Sequence, residues 1–347
     1  MSLPEAPYAG TTPARIIVRS PNPLGDACMA LPAIRAIRRE WENTSIVVAC
    51  RENLAPMWES QCDVDEVIPF SRKANPVAVG KEFRSHGKFD LGVLLPNSFR
   101  SALELRLGGV KNLVGFKRYQ RGILLSNAVR EPQADSENPH HANRYLHLVK
   151  HMGVSIDQED TLFQIPPAPR SIPRSPDTIH LGVCPGAEYG NAKRYPIERY
   201  AAAIEELRKR RPGTAFSVSI FGSPAEKAIG EQLAALLSEP VANRAGETTV
   251  GELVEELRDC HFVATNDTGT MHLAAALGVP TVAIFGSTEP DFTAPIGEIH
   301  RVIRHKVDCS PCFLRECPID YRCMLRIEPN TVTDEMEGLL DAASLTP

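Results

Sequence analysis

Residues 261–285 constrain this chain most. They open with an apolar run, His261-Phe262-Val263-Ala264-Thr265, of strand length. The run ends in a small polar turn, Asn266-Asp267-Thr268-Gly269-Thr270, and an Ala/Leu-rich stretch follows at once. Gly278-Val279-Pro280 stops that helix, and residues 281–285 read as the next buried strand. The segment is therefore a βαβ unit. Its helix begins at Thr268, Gly269 and Thr270, where backbone N–H groups, hydroxyls and the positive end of the dipole gather. Such a place binds phosphate.

The same alternation runs through the rest of the chain. Residues 15–19 read as a strand, residues 20–25 as a Pro/Asn/Gly loop, and Asp26 onward as a helix with Ala30, Ile34, Ile37 and Arg38 at helical spacing. Further strands are expected over residues 45–49, 66–70 and 91–95. Strands alternating with helices imply a parallel sheet covered on both faces. A Pro-rich stretch, Ile165-Pro166-Pro167-Ala168-Pro169 with Pro173 and Pro176, interrupts the pattern and reads as a linker. The pattern then restarts with a strand over residues 179–184, a loop over 185–195, and Pro196 at a first helical position. Ile197, Tyr200, Ile204 and Leu207 mark one helical face, and residues 216–221 another strand. The expectation is two Rossmann-like α/β domains with parallel sheets: residues 1–165, a linker over 166–177, residues 178–330, and a C-terminal helix over 331–347. Ligands of open α/β sheets bind at the carboxyl ends of the strands, so the expected site is a cleft between the domains.

The 347 residues suit two domains. A net charge of −5 argues against a general nucleic-acid binder. No apolar stretch is long enough to cross a bilayer. Residues 1–13 lack an apolar core, so no secretory signal is expected, the location is cytoplasmic, and most of the nine cysteines are thiols. No G-x-G-x-x-G follows the first strand and no G-x-x-x-x-G-K-[ST] occurs, which weakens the dinucleotide-dehydrogenase and P-loop readings.

Several residues are candidates for chemistry. Asp26 stands at a strand-to-helix turn, where a carboxylate could take a proton from a hydroxyl or simply cap the helix. A helix N-terminus should lower its pKa. Lys193 and Arg194 close a loop that begins Pro185-Gly186 and ends before a helix start. Cations disfavour that positive end, so their position makes sense if an anion lies between; two ordinary surface charges are the plainer reading. His272 could donate to phosphate or shape the turn, and Asp267 could reach a sugar or cap a helix. Glu226 follows a strand, where a carboxylate can accept from ribose hydroxyls or lie solvated. Residues 97–130 hold Arg100, Arg106, Lys111, Lys117, Arg118, Arg121 and Arg130, opposed by Glu104. This basic field suggests an anionic acceptor, although long basic side chains usually lie exposed. Cys309, Cys312, Cys317 and Cys323 form C-x2-C-x4-C-x5-C, able to hold a metal or to pack as reduced thiols, at a spacing that matches no standard zinc-ribbon or ferredoxin pattern.

Taken together, Leu24-Gly25-Asp26 with Leu31-Pro32-Ala33, Leu95-Pro96-Asn97-Ser98-Phe99-Arg100, Pro185-Gly186-Ala187-Glu188 with Ala192-Lys193-Arg194-Tyr195-Pro196, and Asn266-Asp267-Thr268-Gly269 with Met271-His272 resemble the ADP-heptose:lipopolysaccharide heptosyltransferases of glycosyltransferase family nine. The resemblance covers nearly the whole chain. The long phosphate loop favours the branch that adds the second heptose. The resemblance implies a GT-B fold and an inverting, metal-independent transfer of heptose to the inner core of lipopolysaccharide, with no cofactor. Asp26 would be the general base and Lys193 would neutralise the leaving diphosphate. Gly186, Arg194, Thr268, Gly269, Thr270 and His272 would surround the donor phosphates. Glu226 would hold ribose, Thr248 would lie near adenine, and Asp267 would touch the heptose. Asn97, Arg100 and Arg118 would meet the acceptor, and a lipid acceptor implies peripheral contact with the inner face of the inner membrane. Thr270 departs from the apolar residue more usual at its place. Three other readings stay open: a GT-B transferase with another donor or acceptor, a sugar-nucleotide epimerase, and a non-catalytic sugar-nucleotide or lipopolysaccharide binder. The basic field argues against the epimerase.

Overall fold

Twelve short apolar runs build two parallel sheets in the computed structural model, which describes residues 12–132, 139–157, 160, 178–239 and 241–344. The chain divides into two compact units, Met1–Leu162 and Phe163–Pro347. The expected Pro-rich linker lies outside the described residues.

The first unit holds β1 (Arg15–Arg19), β2 (Ser45–Arg51), β3 (Glu66–Phe70), β4 (Leu91–Leu94), β5 (Leu113–Phe116) and β6 (Asn127–Val129), in spatial order β3-β2-β1-β4-β5-β6. All neighbours are parallel, with Ile17 beside Val47 on one side and Gly92 on the other. Ile16, Ile17 and Val18 are wholly buried. Both sheet faces are covered, so the strands read as continuous apolar runs without alternation.

The second unit holds β7 (Thr178–Cys184), β8 (Ala215–Ile220), β9 (Ala242–Asn243), β10 (Phe262–Asn266), β11 (Thr281–Phe285) and β12 (Arg301–Arg304), in order β12-β11-β10-β7-β8-β9. This is the topology of the first unit repeated. In each sheet the first and fourth strands are neighbours, β1 with β4 and β7 with β10. Chain order reverses there, which opens a crevice at the carboxyl ends of those strands.

Most differences from the sequence reading are local. Helical residues begin at Leu24, not Asp26, and the helix breaks at Ala30 before restarting over Leu31–Glu40. Pro196 is the N-cap of the helix Ile197–Arg210 rather than its first residue, because its ψ of 135° is extended. The strands β5, β6, β9 and β12 escape periodicity analysis because they have two to four residues each. The last helix runs over Pro329–Ser344 and belongs to the second core: Val332, Met336, Leu339 and Leu340 pack with Tyr200, Ile204 and Leu207. Their near-four-residue spacing puts them on one helix face.

Candidate active site

In the second unit, the loop after β7 and the turn after β10 are joined by one buried side chain. Asn266 ends β10. Its amide donates to the carbonyls of Pro185 (2.8 Å) and Gly186 (3.1 Å). Its oxygen accepts from the Tyr195 N–H (3.0 Å) and the Tyr200 hydroxyl (3.1 Å). Asn266 thus fastens both ends of the 185–195 loop to the strand, a role the sequence reading missed because its hydrogen bonds span many residues.

That anchoring brings Lys193 to the β10 turn. Lys193 Nζ lies 2.5 Å from an Asp267 carboxylate oxygen, with side chains 13% and 5% exposed. The Thr288 hydroxyl donates to the same carboxylate at 2.7 Å, and Thr293 approaches its other oxygen at 3.5 Å. Asp267 is thus an anion within the protein that already partners Lys193. A pair so buried needs such extra donors, because desolvation offsets much of its attraction.

Asp267 leads into the helix Gly269–Ala276. Thr268 is its N-cap and accepts from the Met271 N–H at 3.3 Å. The hydroxyl expected for phosphate is thus already engaged in capping. The N–H groups of Gly269 and Thr270, in the first turn, have no partner within the helix and are available to an anion. His272 is 6% exposed, and its own N–H donates to the Thr268 carbonyl. Arg194 donates to the Ala187 carbonyl at 3.3 Å.

Glu226 and Gly186 meet beyond the carboxyl ends of β8 and β7. A Cβ at Gly186 would come within 2.1 Å of a Glu226 carboxylate oxygen. The other oxygen accepts from the Ser223 N–H at 2.7 Å in a capping box, which holds the half-buried Glu226 side chain in place. If Glu226 holds the ribose of ADP, as the family resemblance implies, Gly186→Ala is expected to displace that carboxylate and weaken ADP binding about tenfold, a loss of about 1.4 kcal/mol, with little change in thermal midpoint. Calorimetric titration with ADP checks this; an unaltered affinity would exclude Glu226 from the nucleotide site. Thr248 stands one residue before Thr249, the N-cap of the helix Val250–Asp259.

In the first unit, Asp26 sits in the short helix Leu24–Met29, whose N-cap is Pro23 with no side-chain cap bond. Asp26 therefore does not cap the helix. Its pKa is raised, against the dipole expectation. Burial is the largest cause, opposed by the charges of His141 and Arg144. A helix of six residues offers a weak dipole, and desolvation prevails. A raised carboxylate is a better base.

The basic field is largely spent on structure. Arg121 is fully buried and donates to the carbonyls of Phe116 and Pro96 and to Asn97. Arg106 donates to the carbonyls of Leu124, Val110 and Lys111. Glu131 accepts from Asn97 (2.8 Å) and pairs with Arg118 (2.9 Å) and Arg144 (2.7 Å). Glu104, 1% exposed, pairs with Arg19 (3.2 Å) and Arg100 (2.8 Å). Arg51 ends β2, and its pKa is lowered by burial and then by the nearby charges of Arg72 and Arg100. Arg19, Arg51 and Arg100 thus gather near Glu104 at the carboxyl ends of their strands, with Arg72 beside Arg51. Arg51 and Arg72 were missed because they come from different strands; strand-end position was the available signal.

These features have counterparts in known proteins. The model of glycosyltransferase family 9 (heptosyltransferase) matches residues 77–322. The chain is 31% identical to lipopolysaccharide heptosyltransferase 2 of Escherichia coli K12, over 94% of this chain and 98% of that one. The namesake of Salmonella typhimurium LT2 is also 31% identical, over the same shares. The chain belongs to glycosyltransferase family 9. It is an enzyme of that heptosyltransferase family, and its fold is GT-B, two Rossmann-like units in tandem. The solved structure of E. coli ADP-heptose lps heptosyltransferase II superposes with a TM-score of 0.77 at 28% identity, over 95% of this chain and 99% of that one.

Within this family 9 chain, the four cysteines follow β12 on the segment that leads to the last helix. Cys309 is exposed, Cys312 and Cys317 are half-buried, and Cys323 is buried; all are free thiols. Burial raises the Cys323 thiol, and the other three thiols add to the shift. Among the described residues no three or more His, Cys, Asp or Glu side chains stand as a metal-holding group.

Proposed function

We propose that this enzyme transfers heptose from ADP-heptose to the inner core of lipopolysaccharide, placing a second heptose on the first, by a single inverting displacement without a metal ion. The observation that carries the reading is the Lys193–Asp267 pair beside the free N–H groups of Gly269 and Thr270, at the carboxyl ends of β7 and β10. The similarity to E. coli ADP-heptose lps heptosyltransferase II supports the donor, and the similarity to the lipopolysaccharide heptosyltransferases 2 of E. coli and Salmonella supports the acceptor.

In this reading Asp26 takes the proton of the acceptor hydroxyl. The hydroxyl oxygen forms a bond to the anomeric carbon as the bond to the diphosphate breaks, and ADP leaves with the electron pair. Lys193 and the two N–H groups meet the charge that develops on the diphosphate. Gly186, Arg194 and His272 shape the phosphate site, Glu226 accepts from ribose, Thr248 lies by adenine, and Asp267 orients both Lys193 and the sugar. Asn97, Arg100 and Arg118, joined by Arg51 and Arg72, receive acidic groups of the acceptor. No helix among the described residues is long and apolar enough to cross a membrane. Tyr119 and Ile123, 69% and 85% exposed beside Lys117 and Arg118, support peripheral contact with the inner face of the inner membrane.

The test is transfer from ADP-heptose to a heptose-terminated inner-core acceptor in EDTA, read by mass spectrometry, with the new anomeric centre assigned by NMR. An inverted product is expected. ADP binding without product would remove this acceptor, and a retained configuration would remove the single displacement.

A further inference from the structure

We infer that Arg315 is a second cation for the donor's diphosphate, carried to the site by the cysteine-bearing loop; this rests on the donor site proposed above. The first observation is shared support. The Lys193 ammonium lies 4.8 Å from the centre of the Tyr189 ring, and the Arg315 guanidinium lies 5.2 Å from the same centre. One aromatic ring thus gathers two cations that stand 122 residues apart in sequence, and cations rest favourably on such a ring.

The second observation is how firmly the main chain holds Arg315 there. The Ala192 N–H donates to the Arg315 carbonyl at 3.0 Å. The Tyr189 hydroxyl donates to the Phe313 carbonyl at 2.7 Å. Gly190 permits this approach: a Cβ there would lie 2.2 Å from the Arg315 oxygen. The N–H groups of Cys312 and Phe313 both donate to the Ser287 carbonyl, and Ser287 precedes the Thr288 that holds Asp267. The loop therefore braces the phosphate loop on one side and the Asp267 support on the other.

The third observation is charge. Lys193 is paired with Asp267, so together they bring no net charge to a departing diphosphate. Arg315 is exposed, and among the described residues it pairs with no carboxylate. A guanidinium with its donors free suits two adjacent phosphate groups, which it can meet with parallel hydrogen bonds. Its place on the ring that also carries Lys193 supplies the net positive charge the pair lacks.

The experiment is calorimetric titration of the full chain with ADP, for wild type, Arg315→Ala, Arg315→Lys and Arg322→Ala. Arg322 is a control, a half-buried cation at the start of the short helix Arg322–Leu325 that follows the loop, paired with Asp320. Arg315→Ala is expected to weaken ADP about tenfold and to flatten the salt dependence, with its thermal midpoint unchanged. Arg315→Lys should recover part of the loss, and Arg322→Ala should bind as wild type does. The inference is overturned if wild type binds ADP and Arg315→Ala binds it equally, or if Arg322→Ala loses as much. Failure of wild type to bind ADP would overturn the donor reading itself.

Discussion

Asp26→Asn is expected to slow sugar transfer by at least about 100-fold, the lower bound for losing a positioned base, while ADP affinity holds. The residues proposed for the nucleotide all come from the second unit, so binding and catalysis should separate cleanly. The pH profile carries further information. The base works only when ionised, so activity falls as pH drops through the Asp26 pKa. Burial holds that pKa above the ordinary carboxylate value, so the acid limb should sit higher than a solvated aspartate would give. The limb should vanish in the variant. Stability should move the opposite way. A carboxyl whose folded pKa is raised stabilises the fold below its unfolded pKa, and that contribution is lost as pH rises through the folded value. At neutral pH the ionised Asp26 thus costs stability, and the Asn variant should melt at or above the wild-type temperature. An unchanged transfer rate would discard Asp26 as the base and leave the transferase intact.

Lys193→Met is expected to act on both rate and fold. Loss of the cation at the leaving diphosphate should lower kcat by about 10²–10³. It also strands a carboxylate that is 5% exposed, since among the described residues Asp267 then keeps the side-chain donors Thr288 and Thr293 alone. Breaking a buried pair by removing one partner costs about 3 kcal/mol, read as a shift in the denaturant midpoint. Adding Asp267→Asn in the same chain removes the stranded charge and should restore much of the stability but none of the rate. A double variant that recovered activity would make Lys193 a structural cation only.

The same pair shows what was legible beforehand. Lys193 and Asp267 could each be singled out from local context, a cation before a helix start and a carboxylate in a phosphate turn. That they bond to each other could not, because 74 residues separate them and only the adjacency of β7 and β10 closes that distance. Asn266 makes the point more sharply. It looked like one polar residue in a turn, yet it holds four groups on the 185–195 loop and the following helix. The reading of Asp26 leaned the wrong way on pKa because helix position is local and burial is not. Part of the basic field was illegible for the complementary reason. Arg106 and Arg121 find main-chain carbonyls that only packing presents to them.

What the chain determined by itself was its alternation. Apolar runs, Gly and Pro punctuation and helix starts are written within a few residues of where they act, so the two parallel sheets and the turn that opens the helix after β10 follow from short-range physics. What tertiary structure decided was partnership: which carboxylate meets Lys193, which side chains desolvate Asp26, and which loop carries Arg315 to Tyr189. Those outcomes depend on burial and on contacts between distant segments, and both come into being only when the strands take their order in the sheets.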